Sequence, residues 1–185
     1  MEKKNMKKAL ALMAVGILSC GLMATRSFAQ QDKSKRPSPP AQAKCSLDRG
    51  KSITMDYSSP RAKGRKVYGG IVPYGEVWRA GANEATTFVT DTDVVIGGKT
   101  IPAGSYTIFA VPAEGKWTLV VSKKTGEWGV PYPGAEFDLV RVDMKASKLP
   151  GMVENYTIGF EKSAAGCTLN LDWENTRASV AIAKK

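Results

Sequence analysis

The sequence predicts an all-β protein, either an antiparallel β-sandwich or a partly closed β-barrel, with about nine short strands in a single domain. Apolar and polar residues alternate in many short segments, which is the period of a strand with one buried face. No segment after residue 29 keeps apolar residues at helical spacing over several turns. Turns that contain Gly and Pro separate the alternating segments, as short connections between antiparallel strands require.

The expected strands run from residue 53 to residue 182. Gly97-Gly98-Lys99 predicts a hairpin between two of them, and the turn residues at 112–116 predict another. Pro102-Ala103-Gly104 marks a further turn. The segments with the strand period are residues 53–57, 87–89, 94–96, 100–101, 105–111, 117–122, 139–144, 156–160, 167–173 and 178–182.

Residues 1–29 have the pattern of a secretory signal peptide. Lysines precede an apolar run at residues 9–24, and Ser27-Phe28-Ala29 places small residues at the −3 and −1 positions of a cleavage site. The run of about sixteen residues is shorter than the roughly twenty that a membrane-spanning helix needs. We therefore expect a periplasmic or secreted protein with no transmembrane segment in the mature chain. Residues 17–20, Ile-Leu-Ser-Cys, leave a lipid anchor at Cys20 as the alternative.

Two further segments follow the signal peptide. Residues 30–44 are polar and rich in Pro and Lys, without apolar periodicity, which predicts a disordered linker. Residues 45–185 form the predicted β-domain, which is long enough to bury a core of its own. The sequence indicates no internal repeat and no second domain.

The composition excludes several kinds of active site. The chain of 185 residues has no histidine, so it has no Ser-His-Asp triad, no Cys-His dyad and no His-ligated metal. Its three cysteines form no Cys-x-x-Cys pair, which excludes thioredoxin-like motifs and cysteine-cluster zinc sites. We therefore expect no metal and no cofactor. The full chain has a net charge of +10, and without residues 1–29 it keeps 22 basic and 16 acidic residues, a net charge of +6. On an exported chain this moderate excess favours an anionic envelope surface over nucleic acid as a partner.

Two cysteines remain in the mature chain, Cys45 and Cys167. In an exported protein two such thiols most often pair, so we expect a disulfide between the N-terminal edge of the domain and a later strand. The alternative is that Cys167, in register with Leu169 and Leu171, is a buried apolar thiol. A nucleophilic cysteine is not expected, because the chain has no His to act as its base.

The long segment at residues 58–84 carries the candidate binding residues. It is rich in Gly and basic residues, and long loops in compact domains are usually functional. Trp78 offers an aromatic face, and Arg79 offers a partner for a carboxylate or a phosphate. Asn83 and Glu84 add hydrogen-bonding groups to the same stretch. The upstream cations would attract anions to the rim of this site: Arg61, Lys63, Arg65 and Lys66. The alternative is an Arg79–Glu84 pair that only braces the loop.

Several motifs in this segment and beyond it resemble those of one bacterial family. The motifs are KGRKVYGG at residues 63–70, VPYG at 72–75, WRAGANEATT at 78–87, GGK at 97–99 and EWG at 127–129. Over residues 51–182 the chain resembles the family called domain of unknown function 2911. The resemblance implies an exported bacterial protein, often of one domain, and it implies no activity, cofactor or catalytic residue.

Three functions fit these features. The leading prediction is a non-enzymatic module that binds a small molecule, a glycan or an envelope component near residues 78–84. The first alternative is a hydrolase with Glu84 as general base and Arg79 stabilising an oxyanion. The second is a structural envelope protein without a small-molecule site. A binder needs Trp78 and Arg79 exposed in a pocket, a base needs a raised pKa at Glu84, and a brace needs these groups buried and mutually satisfied.

Overall fold

Strands make up most of the computed structural model, which describes residues 32–185. The strands in this part of the chain are β1 (Pro40–Ser46), β2 (Ser52–Ser58), β3 (Thr86–Thr90), β4 (Val94–Ile96), β5 (Lys99–Ile101), β6 (Gly104–Val111), β7 (Lys116–Ser122), β8 (Asp138–Ser163) and β9 (Gly166–Lys184). Short 3₁₀ helices cover Lys33–Lys35, Asp48–Gly50 and Ala135–Phe137. Among residues 32–185, no helix has the length and apolar character needed to cross a membrane. The expected signal peptide and Cys20 lie outside the described residues.

All nine strands of the described region belong to one antiparallel sheet, in the order β1-β2-β3-β6-β7-β8-β9-β4-β5. The edge strands β1 and β5 do not pair with each other in this order, so the sheet is not closed into a barrel. It forms a sandwich-like domain, which confirms the predicted fold class. The long connection at residues 59–85 leaves β2 and returns to β3, its neighbour in the sheet.

The predicted disulfide is present between Cys45 and Cys167. Both residues are almost fully buried, and they join edge strand β1 to β9 across 122 positions of sequence. By chain entropy alone, a loop of this length contributes about 4–5 kcal/mol of stability. The bond therefore ties the first strand of the domain to its last strand.

Strand β1 differs from the sequence prediction, because Pro40–Lys44 were expected in the disordered linker. These residues instead pair with β2 from Pro40↔Ser58 to Lys44↔Thr54. Strand β1 is mostly polar, but every second residue faces the core: Ala41, Ala43 and Cys45 pack against it. Polar residues on the other face are ordinary for an edge strand, which is solvated on one side. The ordered domain therefore begins before Cys45.

Strands β8 and β9 are longer than the sequence predicts. The segments 139–144 and 156–160 lie in the single strand β8, and 167–173 and 178–182 lie in β9. The β8–β9 register shifts between Lys148 and Val153 and again between Val153 and Thr157. Pro150 and Gly151 interrupt the alternating pattern at this point, because proline cannot donate to the ladder and glycine has no side chain to pack. The interruption is a bulged bend within one strand.

An aromatic cluster fills the core beneath the long connection. Trp117, Trp173 and Tyr156 are each at most 1% exposed and are among the largest fully buried side chains. Tyr68 joins them from the connection, with its ring centroid 4.7 Å from Trp117 and 6.3 Å from Trp173 in edge-to-face geometry. This cluster anchors the segment that carries the candidate site.

Candidate functional site

The segment around Trp78 is held to the sheet by backbone hydrogen bonds. The Trp78 amide donates to the Ala110 carbonyl and the Ala110 amide donates to the Trp78 carbonyl, both at 2.8 Å. Further along, the Ala82 amide donates to the carbonyl of Ser58 at the end of β2. These bonds give the segment a defined position against β2 and β6.

Trp78 packs into the aromatic cluster rather than standing free on the surface. Its ring stacks on Trp173 with centroids 6.0 Å apart and meets the edge of Tyr156 at 5.0 Å. The indole Nε1 donates to the Gly81 carbonyl at 3.1 Å. The side chain is half-buried, and its polar atom is already satisfied. This placement differs from the exposed stacking platform that the sequence predicted.

Arg79 is committed to the backbone of two loops. Its Nη1 donates to the carbonyls of Asn83 and Trp128, the latter at 3.0 Å. The guanidinium also lies over the Trp128 ring, 5.4 Å from its centroid. Burial lowers the pKa of Arg79 from its ordinary value, against the opposing charge of Glu84. Arg79 therefore links its own segment, residues 78–84, to the loop at 126–129. We call this link the Arg79 clasp.

Glu84 binds cations from the N-terminal arm, a name we give to residues 32–39. Arg36 Nη1 lies 3.0 and 2.9 Å from the two carboxylate oxygens, and Lys33 Nζ lies 3.0 Å from Oε1. A hydrogen bond from its own backbone amide, followed by the bonds from Lys33 and Arg36, lowers the pKa of Glu84 to about 2. The carboxylate is therefore ionised at neutral pH and is a weak proton acceptor.

Asn83 also contacts the N-terminal arm. Its Nδ2 donates to the Ser38 carbonyl at 2.9 Å. Its backbone has φ of 57°, in the left-handed region that asparagine tolerates better than most residues. This turn directs the Asn83 carbonyl to Arg79 and the Asn83 amide group to the arm.

Arg61 and Arg65 lie apart from Glu84, at a separate shallow groove of about 230 Å³. Arg61 Nη1 donates to the Ser59 carbonyl and hydroxyl, at 2.6 and 2.8 Å. Arg65 donates to the carbonyls of Ala62 and Arg61, at 2.9 and 2.7 Å. Both guanidinium groups thus fold onto the loop that carries them, and within the described residues neither forms a hydrogen bond with residues 78–84.

A cleft of about 330 Å³, which we call the Glu84 cleft, opens beside the segment. The residues that supply its chemistry are Lys33, Asp56, Tyr57, Glu84, Thr87 and Glu127. The sequence prediction found only Glu84 among them. Asp56 and Thr87 are paired neighbours on β2 and β3. The period of two could have placed each on the outer face of its strand, but the pairing of the strands is a long-range property.

Metal binding finds no support in the described region. No group of three or more Asp, Glu or Cys side chains within residues 32–185 is placed to hold a metal ion.

Comparison with known proteins places the chain in a family. A family model described as "Protein of unknown function (DUF2911)" matches residues 38–182, which include all of the segment at 58–84 and nearly all of the sheet. No curated protein and no solved structure matches the chain. The chain therefore belongs to the DUF2911 family.

Proposed function

We propose that this protein is an exported binding module whose Glu84 cleft takes a small molecule with a protonated amine or guanidinium group. The observation that carries the proposal is the double occupation of Glu84 by Arg36 and Lys33. Charge-assisted bonds to a carboxylate are among the strongest polar contacts in proteins. A carboxylate that two cations of its own chain already occupy has the geometry that a cationic ligand would use.

The charges around the cleft support this choice of ligand. Three carboxylates line the cleft, those of Asp56, Glu84 and Glu127, and Lys33 is the one cation among the described residues that line it; Arg36 and Lys124 pair with Glu84 and Glu127 from outside the lining. Asp56 accepts a hydrogen bond from Gln42, and Glu127 lies 3.7 Å from Lys124. Tyr57 also lines the cleft, but it is only 9% exposed and its ring packs against Tyr156 in the core. The acidic groups therefore carry the preference for an amino sugar or another small amine.

Export is part of the proposal and has two supports. The pattern of residues 1–29 is that of a signal peptide. The Cys45–Cys167 disulfide suits an oxidising compartment, since disulfides are rare in proteins of the reducing cytosol. An envelope amine would meet the Glu84 cleft in that compartment.

Binding fits the geometry better than hydrolysis. A general base works best with a pKa near the operating pH, whereas the pKa of Glu84 is lowered to about 2. Arg79 donates to two backbone carbonyls and lies over Trp128, so it supports the loop instead of facing an oxyanion. In this proposal Arg79 and Trp78 form the scaffold and Glu84 forms the ligand contact.

A calorimetric titration of protein expressed from the full-length sequence tests the proposal. The probes are glucosamine, lysine and spermidine, with glucose and N-acetylglucosamine as matched neutral compounds. We expect at least one amine to bind, and we expect Glu84→Gln to weaken that binding about tenfold or more. Glu76→Gln is the control, because Glu76 is an exposed carboxylate of the same connection. Equal binding by the wild type and Glu84→Gln would contradict the proposal, as would the absence of any amine binding.

A further inference from the structure

A second cleft, which we call the Tyr68 cleft, lies at the β8–β9 bend and has a volume of about 390 Å³. The side chains that matter for its chemistry are Tyr68, Tyr74, Glu114, Trp117, Lys148 and Asn175. None of the residues that line it lines the Glu84 cleft. Its volume falls within the roughly 300–1,000 Å³ of small-molecule sites.

Tyr68 lines this cleft, and its hydroxyl is the first argument for a ligand there. Tyr68 is 3% exposed, and its hydroxyl oxygen has no hydrogen-bond partner among residues 32–185. Burial, followed by the negative charges of Glu174 and Asp172, raises the pKa of Tyr68, so the group stays a neutral donor. Leaving a buried hydroxyl without a partner is unfavourable, and each such group in a native protein calls for an explanation, of which a bound ligand is one.

The wall of the cleft is a fixed aromatic ring, Tyr74. Its side chain is 44% exposed, which makes it one of the few exposed large apolar residues of the described region. The ring lies against Gly69: a Cβ added there would stand only 2.9 Å from Tyr74 Cε2. Gly69 has φ of 74°, a left-handed conformation that glycine adopts without strain. The absence of a Cβ at Gly69 therefore lets the Tyr74 ring approach the backbone closely while the side chain stays partly exposed.

The opposite side of the cleft is polar and lies at the break in the β8–β9 ladder. Asn175 falls between the pairs Lys148↔Thr176 and Val153↔Glu174, where β8 carries extra residues. Glu174 has φ of 53°, an unusual conformation for a residue other than glycine. Its Oε2 accepts a hydrogen bond from the Val67 amide at 3.3 Å, which joins the bend to the residue before Tyr68. Bulges of this kind are common beside binding sites, where they redirect a side chain.

From these features we infer that the Tyr68 cleft binds a neutral saccharide ring. An exposed tyrosine face suits the C–H face of a pyranose, and a buried hydroxyl and an amide suit its hydroxyl groups. Glu114 and Lys148 carry opposite charges at the rim, which leaves no net preference for an ion. A neutral ligand with many hydroxyls satisfies the donors and acceptors on both sides of the cleft.

This inference is independent of the amine site proposed above, although the two regions touch. Tyr68 meets the edge of Trp78, with ring centroids 6.4 Å apart. The motif at 63–70 contributes Tyr68 to the saccharide cleft, and the motif at 78–87 contributes Glu84, Ala85 and Thr87 to the amine cleft. The two proposals fail separately, because they use different probes and different variants.

The test is a titration of protein expressed from the full-length sequence with cellobiose, maltose and N,N′-diacetylchitobiose. Intrinsic tryptophan fluorescence reports binding, because Trp117 lines the cleft. We expect one of these sugars to bind saturably, and we expect Tyr68→Phe to raise its Kd about tenfold. Tyr74→Ala should raise the Kd as well. Tyr156→Phe is the matched control, because it removes the other buried and unpartnered hydroxyl of the described region without touching this cleft.

Thermal midpoints measured for every variant keep the test interpretable. If Tyr68→Phe and Tyr74→Ala fold normally and bind as the wild type does, the inference is overturned. If binding is lost only in Glu84→Gln, the sugar belongs to the Glu84 cleft, and the inference is again overturned. If no sugar binds to the wild type, the saccharide assignment is rejected, and the amine titrations still decide the other site.

Discussion

Arg36 bonds to both carboxylate oxygens of Glu84, at 3.0 and 2.9 Å, although the two residues are 48 positions apart. The contact covers the candidate site with a segment that lies just after the expected signal-peptide cleavage point. The Arg36 side chain is only 20% exposed, whereas the Glu84 side chain is 41% exposed. The N-terminal arm therefore competes for the carboxylate with any cationic ligand of the cleft.

The first prediction concerns the competition between Arg36 and a cationic ligand for the Glu84 carboxylate. Arg36→Ala should leave the fold intact and strengthen amine binding to the Glu84 cleft, by a few-fold to about tenfold, since the carboxylate loses one internal partner. Calorimetric titration of the variant with the amines that bind the wild type measures the change. Lys35→Ala is the control, because Lys35 is exposed and pairs with Asp32 instead. Weaker binding in Arg36→Ala would mean that Arg36 itself contacts the ligand.

The acid sensitivity of the Glu84 pairs is the second prediction. The pKa of Glu84 is lowered from 4.5 to about 2 in the folded protein, so the pairs stabilise the fold fully above pH 4.5. That contribution is lost as the pH falls from 4.5 to about 2. Denaturant unfolding of the wild type and Glu84→Gln between pH 2 and 7 should therefore show a stability difference that shrinks over this interval. A difference that stays constant with pH would contradict the pairing. We expect a small difference, because Glu84 is 41% exposed and solvent screens its partners.

The contribution of the disulfide is the third prediction. Replacing Cys45 and Cys167 together by Ser should lower the free energy of unfolding by about 4–5 kcal/mol, if chain entropy dominates. Denaturant unfolding with and without dithiothreitol measures it. The reductant should destabilise the wild type and leave the double variant unchanged. An effect of equal size on both proteins would show that reduction acts elsewhere.

The fourth prediction concerns the close contact between Gly69 and the Tyr74 ring. Gly69→Ala should destabilise the protein by about 1–2 kcal/mol and move Tyr74, because the new Cβ would stand 2.9 Å from the ring. Gly98→Ala is a matched control: Gly98 has φ of 78°, close to that of Gly69, and open space around the added Cβ. Both variants place alanine in a left-handed backbone conformation, so they carry a similar backbone strain. The difference between their thermal midpoints therefore reports the cost of the contact with Tyr74. Equal losses would mean that the ring moves away freely.

The clasp formed by Arg79 is the fifth prediction. Arg79→Lys keeps the charge but loses the planar guanidinium, which bonds to two carbonyls and lies over Trp128. Amide hydrogen exchange should therefore increase at both 78–84 and 126–129, with about 1 kcal/mol of lost stability. Unchanged exchange at 126–129 would contradict the role of a clasp.

The local pattern of the sequence predicted much of the sheet. Alternation at residues 94–96, 105–111 and 117–122 coincides closely with β4, β6 and β7, because a strand with one buried face imposes a period of two. The pattern failed for Pro40–Lys44, where edge-strand polarity resembles that of a linker. It also divided β8 in two at Pro150 and Gly151, since a bulged bend and a turn have the same local signature.

The motif at 78–87 predicts a candidate site, but it does not indicate the contacts that its residues make. Trp78 has the composition of a ligand platform, yet it stacks on Trp173, which lies 95 positions later in the chain. Glu84 binds Arg36 and Lys33, which the sequence assigned to a disordered linker. Composition can indicate which groups are capable of binding, but the partner of each group depends on contacts between distant segments.

The amino-acid sequence thus determined the strands, the turns, the family and the pair of cysteines, because these depend on neighbouring residues or on residue type. The tertiary structure decided which faces meet. It packed the half-buried Trp78 against the core, covered Glu84 with the N-terminal arm, and set Tyr68 and Asn175 at one cleft through a shift in the β8–β9 register. Register and packing are long-range properties: a slip of one residue in β9 would turn the Asn175 side chain to the opposite face of the sheet, and the residues of the long connection take their positions from the elements on which it packs.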